Sequence, residues 1–109
     1  MTWHRACALG ELNHGDLKTV RVEDVEMLLI RHDNGVTAIP PHCPHLRERL
    51  ETSGLCDGKV LTCMQHMWQW EVESGAPMGA AEGPLLRYPT EVRDDDVYVH
   101  LTEKLDYRR

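Results

Sequence analysis

Four residues of this chain have the types and the spacing of a metal site. Cys43 and His45 are separated by one residue, and Cys63 and His66 by two, so the pattern is C-x-H, seventeen residues and C-x-x-H. Each pair offers one thiolate and one imidazole. Together they can give one metal ion two sulfurs and a second metal ion two nitrogens. A 2Fe-2S cluster in which His replaces Cys on one iron requires that division of ligands.

The same four residues are also compatible with a structural zinc ion. Structural zinc sites usually draw their ligands from a close C-x-C pair followed by a close H-x-H pair, or from four cysteines. Here Cys and His alternate along the chain. A zinc-bound structural or binding module is therefore the less favoured alternative, and it would be colourless and redox-silent.

The alternating order resembles the Rieske iron–sulfur family, most specifically between positions 42 and 70. The resemblance implies one Rieske 2Fe-2S cluster, with Cys43 and Cys63 on the inner iron and His45 and His66 on the outer, reducible iron. Such a cluster moves one electron at a time and makes no bond to a substrate. We therefore expect an electron carrier and not an enzyme.

Departures from the respiratory members of the family are equally informative. Those proteins carry an extra Cys in each ligand loop, and the two form a disulfide; the matching positions here are Glu48 and Gln65. They also place a Ser and a Tyr after the second loop, whose hydroxyls bond to sulfur, where this chain has Trp68 and Trp70. Without hydroxyl donors the reduced state is less stabilised, so we predict a low potential, near or below zero.

Three further residues are predicted to lie near the cluster. The segment containing Pro84 resembles the proline loop that covers the cluster in this family and would exclude water; an ordinary turn before a strand is the alternative. Trp68 and Trp70 alternate with Gln69, so they are expected to share a face beside the cluster. Trp68, next to the ligand loop, is expected to border a docking surface.

Short β-type runs alternate with turn signals along the chain, which predicts an all-β domain. The resemblance implies the Rieske fold, with stacked antiparallel sheets, two cluster-binding loops at one tip, and a single domain spanning 1–109. Predicted strands cover 18–22, 25–31, 36–39, 59–62, 68–73, 90–93 and 97–101.

Turn signals separate these strands. Asn34 followed by Gly35 predicts a hairpin through a tight type I′ turn with positive φ, and Pro40-Pro41 ends the next strand. Residues 46–50 are expected to form a helical turn, 74–79 a connector, and 94–96 a charged hairpin tip.

Composition excludes several functions. The 12 basic and 18 acidic residues give a net charge of −6, which disfavours nucleic-acid binding and suits a partner with a basic docking surface.

No stretch resembles a signal peptide or a membrane span, so we expect a soluble, cytoplasmic monomer with reduced thiols. Cys7 and Cys56 lack a partner at metal spacing, and Cys56 is expected to be a small buried side chain. His42 is expected to be exposed or to lie behind the ligands. The remaining histidines are expected at the surface: His4, His14, His32 and His100.

The string at 63–68 resembles ferredoxins of soluble diiron monooxygenases that oxidise toluene, alkenes or isoprene, where Trp commonly follows the second His by two positions. This resemblance implies partners: an NADH-dependent flavin reductase and the oxygenase or hydroxylase component. Two alternatives remain open, a ferredoxin of an aromatic-ring-hydroxylating dioxygenase and a small subunit of a larger oxidoreductase. The sequence does not identify the hydrocarbon that is finally oxidised.

Overall fold

The computed structural model describes residues 3–43, 49–65, 67–105 and 107. In chain order the strands of this part are β1 (Trp3–Ala8), β2 (Leu17–Val22), β3 (Val25–His32), β4 (Gly35–Ile39), β5 (Gly54–Cys56), β6 (Val60–Cys63), β7 (Trp68–Glu71), β8 (Pro77–Met78), β9 (Thr90–Arg93) and β10 (Asp96–His100). They form three antiparallel sheets with the orders β1-β10-β9, β2-β3-β4 and β5-β6-β7-β8.

Helix is scarce, as predicted. The described residues contain one α-helical turn, α1 (Leu50–Ser53), and a 3₁₀ turn at Leu9–Glu11. The helical turn predicted at 46–50 lies outside the described residues except for its last two positions, and α1 begins at Leu50. None of the described helices is long and apolar enough to cross a membrane.

Two of the hairpins have type I′ geometry, but not the one that Asn34-Gly35 predicts. The two turn residues have positive φ in β2–β3 (Glu23 and Asp24) and in β9–β10 (Asp94 and Asp95). In the β3–β4 turn only Gly35 does, at +144°. The hairpin itself forms there, yet the predicted positive φ at Asn34 is wrong because the glycine alone adopts the unusual conformation.

The other predicted strands are confirmed within one or two residues, and three strands were not predicted. β1 and β5 were not foreseen, and β8 lies inside the segment 74–79 that was expected to be a connector. β8 pairs only two residues with β7, and Pro77 is tolerated there because β8 is the edge strand of its sheet.

The β2-β3-β4 sheet lies between two apolar cores, and this explains the apolar run of β3. Leu28 and Ile30 belong to a core shared with the β5–β8 sheet, whereas Met27 and Leu29 belong to a second core shared with the β1-β10-β9 sheet. Successive strand residues point to opposite faces, so the run supplies both cores. The first core also contains Cys43 and Cys63, the two predicted sulfur ligands.

Candidate metal centre

Cys43 and Cys63 lie in the same apolar core. Both side chains are fully buried, at 0% exposure. All four cysteines are among the described residues, and none is in a disulfide bond. The predicted imidazole ligands His45 and His66 lie outside the described residues, as does Glu48. The structure thus brings together the two sulfur donors of the predicted site.

The first ligand segment is closed at its base. His42 and Arg49 form an antiparallel bridge, and the backbone N–H of Leu50 donates to the carbonyl of Pro41 at 2.9 Å. His42 is half-buried. The residues on either side of 44–48 therefore pair with each other, and Cys43 is next to this pairing.

An ion pair reinforces this base. The guanidinium of Arg49 donates two hydrogen bonds to the carboxylate of Glu26 in β3, at 3.2 and 2.8 Å. Bidentate pairs of this kind fix geometry as well as charge. The same hydrogen bonds lower the pKa of Glu26. Arg49, just before α1, is thereby attached to the β2-β3-β4 sheet.

The second ligand segment is a tight turn between β6 and β7. The N–H of Met67 donates to the carbonyl of Cys63 at 2.7 Å, and Met67 has a φ of +59°. The N–H of Met64 donates to the carbonyl of Ser53, the last residue of α1, at 2.8 Å. Because α1 begins just after the first segment, this short helix links the two ligand segments.

Trp68 and Trp70 lie together beside Cys63. Their ring centroids are 6.2 Å apart in an edge-to-face arrangement. Trp70 is fully buried in the core with the two cysteines, and Trp68 is half-buried against it. The indole N–H of Trp70 donates to the carbonyl of Gly83 at 2.9 Å. The expectation that the two rings share a face is confirmed.

The segment around Pro84 covers part of the same core. Leu85 is buried among the residues that surround Cys43 and Cys63, and its N–H donates to the carbonyl of Gly75 at 2.9 Å. Pro84 itself is exposed. The segment therefore places an apolar side chain inward and a proline outward.

The two remaining cysteines are both buried, as predicted for Cys56, but they lie in different cores. Cys7 lies in the second core, whereas Cys56 lies in the first core with Cys43 and Cys63. Burial raises the pKa of both the Cys7 and the Cys56 thiols. The backbone N–H of Gly58 donates to the sulfur of Cys56 at 3.4 Å. Cys56 is therefore a core residue close to the predicted site.

His32 is not at the surface, so that prediction is wrong. Its side chain is buried, at 6% exposure, and the N–H of Asn34 donates to Nδ1 at 3.2 Å. Nε2 therefore carries the proton and donates to the hydroxyl of Thr37 at 2.9 Å, which in turn donates to the carbonyl of Val72. Burial lowers the pKa of His32.

A signal for this burial was present in the sequence. His32 follows Leu28 and Ile30 at intervals of two along β3, so it continues the row that faces the first core. The other three histidines expected at the surface are exposed or half-buried.

The observed sulfur donors fit the thiolate half of a 2Fe-2S cluster with mixed ligands. Of the three cysteines in this core, Cys43 and Cys63 have the predicted ligand spacing, and neither is in a disulfide. Cys43 and Cys63 would hold the cluster as its sulfur ligands.

Comparison with known proteins places these features in a family. A family model described as Rieske [2Fe-2S] domain matches residues 2–89. The methanesulfonate monooxygenase ferredoxin subunit of Methylosulfonomonas methylovora is 34% identical over 107 residues, 98% of this chain and 87% of that protein. The ferredoxin component of the alkene monooxygenase system of Xanthobacter autotrophicus is 31% identical over 93 residues, 85% of this chain and 76% of that protein.

A solved structure is also similar to this chain. One chain in a complex of reduced oxygenase and oxidized ferredoxin of carbazole 1,9a-dioxygenase superimposes with a TM-score of 0.80. It is 28% identical, and the match covers 96% of this chain and 98% of that chain. The similarity therefore extends over nearly the whole length of both molecules.

Proposed function

This chain belongs to the Rieske [2Fe-2S] family, and we propose that it is the ferredoxin of a multicomponent hydrocarbon monooxygenase. It is an electron carrier with one Rieske cluster and not an enzyme in its own right. In the proposed circuit it accepts single electrons from an NADH-dependent flavin reductase and delivers them to a diiron hydroxylase. Two of its relatives are monooxygenase ferredoxins, which supports a monooxygenase partner, and the alkene system among them supports a hydrocarbon substrate.

The observation that carries the proposal is the pair of fully buried thiols, Cys43 and Cys63, in a core lined by Trp70 and Leu85. We assign these cysteines and the two histidines, His45 and His66, as the four ligands, within one domain spanning 1–109. When bound, the cluster supplies a one-electron couple. The surrounding side chains hold the ligand segments in place and exclude water.

Exposed apolar side chains support a docking surface next to the second ligand segment. Four of the six exposed large hydrophobic residues in the described part of the chain belong to the β5–β8 sheet or its β6–β7 turn: Leu55, Met64, Met67 and Met78. Met64 and Met67 flank His66 in the sequence. Methionine surfaces adapt to different partners, which suits a carrier that visits both a reductase and an oxygenase.

The proposed exchange requires weak, transient binding. A small interface around the ligand histidines lets a monomeric carrier leave each partner quickly. The net charge of −6 suits basic docking surfaces and speeds encounter at low ionic strength.

A second candidate is a ferredoxin of an aromatic-ring-hydroxylating dioxygenase. The structural match to a chain of the carbazole dioxygenase complex favours it. Both candidates share the cluster and the electron-carrier role, and they differ in the oxygenase that accepts the electron.

Iron and sulfide analysis tests the ligand assignment. Wild type and Cys56→Ser should each hold about two irons and two sulfides per chain, which is the composition of a 2Fe-2S cluster. Cys43→Ser and Cys63→Ser should lose the cluster. Cys56→Ser is the matched control, because Cys56 lies in the same core but is not assigned as a ligand. Full iron content in Cys63→Ser would contradict the assignment.

Anaerobic mixing with oxygenases tests the function. The reduced chain is mixed separately with the oxygenase components of the alkene monooxygenase and of carbazole dioxygenase, and its reoxidation is followed optically. Faster reoxidation by the monooxygenase component supports the proposal, whereas faster reoxidation by the dioxygenase component supports the second candidate. A reduced chain that neither component reoxidises contradicts the electron-carrier role in these systems.

A further inference from the structure

Trp70 contributes more than apolar surface to the core. We propose that Trp70 is a positioning residue that holds the segment Gly83–Leu85 closed over the cysteine pair. This inference rests on the proposed function, because it takes Cys43 and Cys63 to be cluster ligands. The hydrogen bond from Trp70 belongs to the protein itself, so amide exchange can test it with or without iron.

The position of Trp70 is fixed by its strand. β7 is an inner strand, and Trp70 is paired with Leu61 of β6 on one side and with Pro77 of β8 on the other. Its side chain has 0% exposure, and its ring meets that of Trp68 edge to face. A side chain fixed in this way can anchor a less regular segment.

The anchored segment is irregular and crosses from solvent into the core. The indole N–H of Trp70 donates to the carbonyl of Gly83 at 2.9 Å. Two residues later, Leu85 enters the core that contains both cysteines, and its N–H donates to Gly75. Pro84 lies between these attachments and has no N–H to contribute. Trp70 therefore fixes the start of the segment, and backbone hydrogen bonding fixes its end.

The same hydrogen bond has an electrostatic consequence. An indole has a single donor and no acceptor, and in Trp70 the donor is committed to Gly83. It is not available to stabilise negative charge on a ligand sulfur. Trp70 thus closes the site against water while providing no hydrogen bond to the sulfur. Both effects disfavour the more negative, reduced state.

Phenylalanine at this position removes the hydrogen bond and keeps one aromatic ring. In Trp70→Phe the carbonyl of Gly83 loses its donor, and the smaller ring also leaves space in the core. Tyr107→Phe is the matched control, because the Tyr107 hydroxyl accepts the N–H of Leu86 in the following part of the same loop, at 3.1 Å. Each variant removes one hydrogen bond from the loop, and only Trp70→Phe removes the bond at the segment over the cysteines.

Three readouts follow from this design. Trp70→Phe should increase the exchange rate of the Leu85 amide and the rate at which an iron chelator bleaches the protein, each about two- to tenfold, the change expected from losing one hydrogen bond. The midpoint potential should move in the positive direction as water gains access. Tyr107→Phe should leave the bleaching rate and the midpoint unchanged. A Trp70→Phe protein with wild-type bleaching and midpoint would overturn the proposal.

A second variant covers the case in which Trp70→Phe does not fold. Site-specific replacement of Trp70 by 3-benzothienylalanine keeps the bicyclic shape and exchanges the N–H for sulfur. It should reproduce the faster exchange of Leu85; wild-type exchange in this variant would overturn the proposal. If the proposed function is wrong, the result is different: the wild-type protein itself binds no iron–sulfur cluster. Amide exchange of Leu85 then still decides whether Trp70 holds the segment.

Discussion

Gly54 and Cys63 are direct register partners across strands β5 and β6. A Cβ atom on Gly54 would lie 2.5 Å from the carbonyl oxygen of Leu50 and 2.8 Å from Cδ2 of Leu17. The close approach is to the backbone of α1, the helix that links the two ligand segments. Cys63, a proposed ligand, is therefore paired with a position where α1 leaves room only for glycine.

Gly54→Ala should reduce both stability and iron content. The added methyl group must displace α1 or β5, an overpacking cost of about 1–3 kcal/mol, and the displacement is passed to Cys63 through the strand pairing. Urea denaturation and iron analysis measure the two effects. Gly10→Ala is the control, because a Cβ there meets nothing within 4 Å. Equal iron content in Gly54→Ala and wild type would show that the contact does not position the ligand.

Protonation of His32 should destabilise the protein in mild acid. Burial is the main cause that lowers its pKa below the ordinary value of 6.5, and the carboxylates of Glu73 and Asp33 oppose the shift while His14 adds to it. The unfolded chain therefore binds this proton more readily than the folded one. The stabilisation is complete above pH 6.5 and is lost as the pH falls from there towards the lower folded pKa.

The urea midpoints of wild type and His32→Gln at about pH 7.5 and about pH 5.5 test this dependence. Glutamine keeps a donor and an acceptor but does not titrate. The variant should be less stable than wild type at the higher pH and should lose less stability on acidification. Identical losses in the two proteins would mean that His32 does not contribute to the acid sensitivity.

The docking surface predicts an effect on electron delivery without an effect on the cluster. Met64→Gln and Met67→Asn should each slow electron transfer to the oxygenase about fivefold at limiting concentration, which corresponds to a modest interface contact. Asparagine is chosen because Met67 has a positive φ. The midpoint potential should not change in either variant.

Val92→Gln provides the comparison for this experiment. Val92 is also exposed, at 42%, but it lies on β9, in a different sheet from the β6–β7 turn. Transfer rates in Val92→Gln should match those of wild type. If all three variants slowed transfer equally, the apolar surface at the β6–β7 turn would not be the docking site.

Local patterns are enough to predict most of the hairpins. Spacing and turn chemistry act over a few residues, so they identify 18–22 and 25–31 as neighbouring strands and 59–62 as a strand that leads to Cys63. β5 and β8 were missed because three and two residues are too few to show a period of two.

The features that local patterns do not predict depend on contacts between residues far apart in the sequence. No sequence pattern indicates that Trp70 donates to Gly83, thirteen residues away, or that the carbonyl of Ser53 accepts from Met64. The burial of His32 is detectable from its alternation with Ile30, but the deciding interaction is with Thr37 and, through it, with the carbonyl of Val72, just after β7. Such contacts arise only when the sheets stack.

A potentiometric titration of the purified protein, followed by EPR, decides whether the chain is a low-potential Rieske ferredoxin. We expect a Rieske-type signal on reduction, with a midpoint near or below zero, in the low part of a range of roughly −150 to +300 mV. A midpoint above roughly +200 mV would contradict the explanation based on the missing hydroxyl donors. A silent spectrum with zinc in the protein would contradict the electron-carrier function itself.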